Sequence, residues 1–139
     1  MFADVAPVTL AQIDDARKRL EGVALHTPVL ACDAAPAGRE VWLKLENLQP
    51  IGSFKVRPIG SAVLSRSPAD LAAGIYTSSS GNSALGVAWM ARRLSLKATA
   101  VVPDNAPEAK LAGLRRLGAD ILVLPYADWW RVIETGRHE

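Results

Sequence analysis

One cysteine, Cys32, stands alone in 139 residues. That excludes an internal disulfide and offers no thiolate cluster at metal-ligand spacing. Histidine is nearly as scarce, and His26 has no second imidazole or carboxylate at ligand distance along the chain, so it reads as structural. No apolar run approaches the roughly 20 residues that span a bilayer. The N-terminus lacks the charged, apolar and cleavage regions of a signal peptide. Sixteen basic residues are balanced by fourteen acidic ones and form no block, so no nucleic acid and no anionic membrane is implied as a partner. Neither G-x-G-x-x-G nor G-x-x-x-x-G-K-[ST] occurs, which argues against a plain dinucleotide or P-loop site. Internal repeats and low-complexity linkers are absent as well. What remains is an ordinary globular composition, half hydrophobic with a net charge of +2, expected to be cytoplasmic and to form one α/β unit over residues 1–139.

The apolar pattern gives the elements. Thr9 and Gln12 make a capping box, and Leu10, Ile13, Ala16 and Leu20 recur at helical spacing, so a helix with one buried stripe is expected before Gly22. His26-Thr27-Pro28-Val29-Leu30 begins an extended segment, because proline pushes its predecessor away from helix. Ala34 to Arg39 forms a small-residue turn. Val41, Leu43 and Leu45 alternate with Trp42, Lys44 and Glu46, the period of a strand with one buried face. Asn47 to Gly52 breaks that pattern as a loop. Ser53 is the expected N-cap of the next helix, with Phe54 and Lys55 in its first turn and Pro58 about one turn in. A strand at Gly74–Thr77, a turn at Ser78–Ser83 and a helix at Ala84–Leu94 follow. Lys97–Val102 is a further strand, and the helix after it carries Leu111, Leu114 and Leu117 before Gly118. Asp120–Leu124 reads as a buried strand, and a last helix spans Ala127–Thr135 with Trp129 and Trp130, which read as packing. Strands alternating with helices imply right-handed crossovers and an open, mostly parallel sheet with helices on both faces.

Two places carry chemistry. The positive end of a helix opposes protonation of an amine placed there, the condition under which a lysine acts as a nucleophile toward a carbonyl. Lys55 is the candidate. A lysine in a first turn is ordinarily a solvated charge, so the residues around it must decide. The second place is Ser78-Ser79-Ser80-Gly81-Asn82-Ser83, where a small polar turn between strand and helix aims free N–H groups at one spot and suits an anion such as a carboxylate.

The string L-K-L-E-N-L-Q-P-I-G-S-F-K-V-R, ending at Arg57, resembles the lysine motif of the fold-type II pyridoxal-phosphate enzymes, the group of threonine and serine dehydratases, threonine synthase and cysteine synthase. S-S-G-N-S-A-L-G-V-A is similar to that family's second signature. V-V-P-D-N-A-P-E-A-K-L and L-R-R-L-G-A-D-I resemble it at corresponding places. The resemblance implies pyridoxal 5'-phosphate held by Lys55 as a Schiff base, with Asn82 on the cofactor's ring hydroxyl. Ser79, Ser80, Gly81, Asn82 and Ser83 would hold the carboxylate of a small amino-acid substrate. The activity implied is dehydration and deamination of threonine or serine, with cysteine synthase or threonine synthase chemistry as alternatives. Two departures stand out: Pro58 where the family has glycine, and Ser83 where dehydratases often have histidine.

The resemblance covers only the first part of the family. The glycine-rich loop that cradles the cofactor phosphate is not found in the sequence. About residues 1–50 would then lead into a missing large domain and about 51–139 form the small one. A split enzyme or a non-catalytic α/β remnant fits the same observation. Four tryptophans and the apolar surface left bare imply a homo-oligomer or a missing C-terminal half as partner.

Overall fold

A computed structural model describes residues 6–136. The start at residues 1–5, read as leaderless, and the closing Arg137-His138-Glu139 lie outside them. The chain runs α1 (Leu10–Arg19), β1 (Val29–Ala31), β2 (Trp42–Lys44), a 3-10 turn (Glu46–Leu48), α2 (Val56–Leu64) and α3 (Pro68–Leu71). It continues through β3 (Ile75–Ser78), α4 (Asn82–Arg93), β4 (Ala98–Pro103), α5 (Glu108–Arg116), β5 (Asp120–Leu124) and α6 (Tyr126–Thr135). β3, β4 and β5 lie side by side in that order as a parallel sheet. β1 and β2 form a separate antiparallel pair.

β4 is the middle of the fold because both its faces are covered. Ala98, Ala100 and Val102 share one cluster with Ala84, Ala88 and Ala91 of α4 and Leu114 of α5. Alanines on both sides of this contact let helix and sheet approach closely at interior packing density. Val101 points the opposite way, as strand alternation requires, and there α6 packs on β3 and β4. Val132 of α6 is buried, and Trp129 Nε1 donates to the Val101 carbonyl at 3.1 Å. The α/β sheet with helices on both faces is therefore present. A second cluster joins Val56 and Val63 of α2 to Met90 of α4 and to Val23.

Several local expectations change. The strand expected over Val41–Leu45 is shorter, and all three of its residues are exposed. The cause is topological: β1 and β2 pack chiefly on each other rather than on the parallel sheet. The capping box of α1 is present, but Leu10 and Ile13 are exposed because only the C-terminal end of the helix, at Ala16 and Leu20, reaches the body. β5 was expected to be buried. It is an edge strand with Val123 exposed.

Gly74 closes the turn into β3 at φ +92°, and a Cβ there would sit 2.8 Å from the Lys97 carbonyl oxygen. That carbonyl accepts the Ile75 N–H at 2.9 Å, the first bond between β3 and β4. Gly74→Ala combines backbone strain with this clash and should destabilise the chain by about 2–4 kcal/mol. Gly118→Ala is the control: it has φ +80° with nothing within 4 Å of an added Cβ. It should cost only about 1 kcal/mol. Urea unfolding midpoints compare the two, and equal losses would refute the steric account.

Candidate active site

Lys55 lies at the entrance of α2 as its capping residue, not in the first turn. Pro58 thereby becomes the third helical residue. The leading N–H groups of a helix have no intrahelical partner, so a proline there loses no hydrogen bond. Ser53 is not the cap, but it is buried and its Oγ accepts the Lys55 backbone N–H at 3.3 Å. The Lys55 side chain is half-buried. Its Nζ stands 5.1 Å from the centre of the exposed Phe54 ring, a cation–π contact.

Around this turn runs a polar network that sequence reading did not find. Arg57 holds Glu46 with two donors, Nε to Oε2 and NH2 to Oε1, both at 2.8 Å. The buried Thr27 donates its hydroxyl to Glu46 Oε1 at 2.6 Å. Gln49, also buried, bonds the N–H and the C=O of Leu25, each at 2.9 Å. Arg57 adds a third bond to the Leu25 carbonyl at 3.0 Å. The hydrogen bonds from Arg57 lower the Glu46 carboxyl to about 2; burial opposes this, and Thr27 and Gln49 add to it. Every one of these residues except Thr27 and Leu25 lies in the lysine string, where only their position along the chain could be read.

The low carboxyl pKa predicts an acid dependence. A carboxyl at about 2 when folded and 4.5 as its ordinary value contributes stability that is complete above pH 4.5 and is lost as pH falls toward 2. The Arg57 side chain is 36% exposed, so solvent screening limits the contribution to about 2 kcal/mol. Glu46→Gln should be less stable than the wild type by that amount at pH 6, and the gap should close between pH 4.5 and 2. Denaturant titrations across this range measure it, and a gap independent of pH would contradict it.

The second candidate loop joins β3 to α4. Ser79 donates its N–H to the Val101 carbonyl at 3.1 Å, and its Oγ accepts the Gly81 N–H at 3.1 Å. Gly81 is the N-cap position of α4 and has no side chain with which to cap it. Asn82 and Ser83 are the first two residues of α4 rather than part of the preceding turn. An uncapped helix start presents N–H groups and partial positive charge to an anion. Just before it, the buried Ser78 Oγ has no hydrogen-bond partner. Asn82 Oδ1 accepts from Lys110 Nζ at 3.1 Å. An ammonium only donates, so the amide NH2 of Asn82 is turned away from Lys110 and left to donate elsewhere.

Helix packing brings α2 and the loop before it against α4 about one turn from its start. A Cβ on Gly86, one turn into α4, would lie 3.2 Å from Ile59 and 3.5 Å from Ile51, which stand four residues after and four before Lys55, the first in α2 and the second in the turn ahead of it. Large side chains at this crossing would hold the helix starts apart. Among the described residues, no group of three or more His, Cys, Asp or Glu could hold a metal ion, and no helix is long and apolar enough to cross a membrane.

Fold and helix packing define an α/β protein in which α2, entered at Lys55, packs against α4, whose start carries no side-chain cap. The chain belongs to the pyridoxal-phosphate dependent enzyme family, whose profile matches residues 20–137. It is 44% identical over 109 residues to the L-threo-3-hydroxyaspartate ammonia-lyase of Pseudomonas sp., covering 77% of this chain and 34% of that protein. It is 36% identical over 119 residues to the L-threonine ammonia-lyase of Thermotoga maritima, covering 84% of this chain and 29% of that protein. The crystal structure of serine racemase from Dictyostelium discoideum superposes with a TM-score of 0.83 at 34% identity, over 94% of this chain and 43% of that one. The chain thus spans about a third of the length of the curated relatives it matches. The cofactor of the family is pyridoxal phosphate.

Proposed function

We propose that the chain carries the lysine and carboxylate-binding part of a cytoplasmic pyridoxal-phosphate dependent ammonia-lyase that dehydrates and deaminates threonine or serine. The observation that supports this reading is the packing of α2, entered at Lys55, against α4 with its uncapped start. The residues present fit the cofactor. Lys55 offers an amine to its aldehyde, the unpartnered Ser78 hydroxyl and the free Asn82 amide offer polar contacts, and the α4 N–H groups suit a carboxylate. When bound, the cofactor supplies an electron sink for negative charge at the substrate Cα. Lys55 would hold the cofactor through its amine and, when the substrate's own amine takes that place, would be free to remove the α-proton as general base. Ser79, Ser80, Gly81, Asn82 and Ser83 orient the substrate carboxylate, which places the α-proton toward Lys55. The β-hydroxyl would leave with a proton as water, and a water would be consumed in turning the dehydrated product into a 2-oxo acid and ammonium.

Likeness to a serine racemase favours a second reading. There, proton removal by Lys55 is followed by reprotonation instead of loss of the hydroxyl. The exposed β1–β2 pair is the contact surface for the rest of the family fold or for a second copy of the chain. The test is to supply L-threonine, L-serine and pyridoxal phosphate to this chain together with a polypeptide completing the family fold. The lyase reading predicts 2-oxo acid and ammonium in equal amounts. D-serine without 2-oxo acid would replace it with the racemase, and neither product would leave a non-catalytic unit.

A further inference from the structure

We propose that Glu46 and Arg57 are a positioning pair that fixes the turn carrying Lys55, by tying three separate stretches of the chain together beside it. The inference rests on the reading of Lys55 as the functional amine. Leu25 and Thr27 come from the segment before β1, Glu46 and Gln49 from the 3-10 turn after β2, and Arg57 from the first turn of α2. Lys55 lies between Gln49 and Arg57, so both ends of its loop are pinned to the same two anchors, the Leu25 backbone and the Glu46 carboxylate. Inside that loop Val56 is fully buried and Ser53 nearly so, with the Ser53 hydroxyl on the Lys55 N–H. The backbone at Lys55 is therefore held from both sides while its amine stays free to react. The fork of Arg57 is required because it serves Glu46 and Leu25 at once, which a single ammonium cannot do with the same geometry.

A pair that merely stabilised the fold would affect all lysines alike. The five lysines, at positions 18, 44, 55, 97 and 110, provide the comparison. The experiment is trace acetylation of the full cofactor-free chain, with the rate at each lysine read by mass spectrometry. Wild type is compared with Glu46→Gln, Arg57→Gln, Arg57→Lys and the milder Thr27→Val. In Glu46→Gln and Arg57→Gln the Lys55 rate should change about fivefold relative to Lys97, the ratio expected for one lost hydrogen bond. Thr27→Val should change it in the same direction by less, and Arg57→Lys should restore part of the wild-type rate. Thr27→Val decides the matter if the charge variants fail to fold. A Lys55 rate that moves only in step with Lys18 and Lys97, or not at all in Thr27→Val, would overturn the proposal. Because no cofactor is present, the result is independent of whether Lys55 binds pyridoxal phosphate. That reading fails separately if wild-type chain mixed with the cofactor and reduced with borohydride carries no label at Lys55.

Discussion

Lys55→Ala should abolish covalent attachment of pyridoxal phosphate. In the wild-type chain, borohydride reduction should leave the cofactor's mass on the peptide that contains Lys55, and in the variant on no peptide above background. The loss is complete because attachment needs the amine itself; alanine supplies no substitute nucleophile. In a turnover-competent assembly the same change removes both the anchor and the base, and general-base catalysis alone accounts for about 10²–10⁴-fold in rate. The fold should tolerate the change, since the side chain is half-buried and its described contact is with the exposed ring of Phe54. Circular dichroism and the unfolding midpoint should stay close to wild type. Lys44→Ala and Lys110→Ala serve as controls that keep the label. A label that persists in Lys55→Ala and disappears in either control would move the nucleophile to that lysine.

The second large effect concerns affinity. The glycine-rich phosphate cradle of the family is not found in this sequence, so the 139-residue chain by itself should hold the cofactor only through Lys55 and its neighbours. Each charge-assisted bond to a phosphate contributes about 1.5–3 kcal/mol, so the loss of several weakens binding by about three orders of magnitude or more. This has a sharper corollary. Pyridoxal without its phosphate should bind the isolated chain about as well as pyridoxal phosphate does, because the family's phosphate cradle is not found in its sequence. Absorbance titrations with the two compounds make the comparison, and so does competition by inorganic phosphate. A strong preference for the phosphorylated form, relieved by phosphate ions, would show that this chain has an anion site for it, and the α4 start would be the first place to look.

The alternation of strand and helix was legible because each crossover here carries a period of its own, and the parallel order of β3, β4 and β5 follows from it. The placement of Lys55 was legible to within a residue or two. Local signals named Ser53 as the cap, while Pro58 and the polar network settle the helix start at Val56. The exposure of β2 and β5 was not legible: alternation reports which face of a strand is apolar, never whether anything lies against it. Glu46 and Arg57 were equally out of reach. Eleven residues separate them, and of the partners that give the pair its meaning, Thr27 was read only as part of an extended segment and Leu25 not at all. Asn82 was named from its motif, but the orientation of its amide depends on Lys110, which is 28 residues away.

The order of the strands in the sheet is also their order along the chain, and that has a consequence for how the molecule comes together. Every pairing between β3, β4 and β5 joins residues little more than twenty apart, so the loops that must close are short and the contacts are largely local. Such a sheet can assemble as the polypeptide leaves the ribosome, each helix covering the strand just made. The polar network closes a wider span, from Leu25 to Arg57, 32 residues apart. Val56, beside Lys55, shares a buried cluster with Met90 of α4, so the lysine turn is also tied to the helix layer on the sheet. By loop length alone the sheet and the lysine turn differ little, so both form from contacts of modest sequence separation.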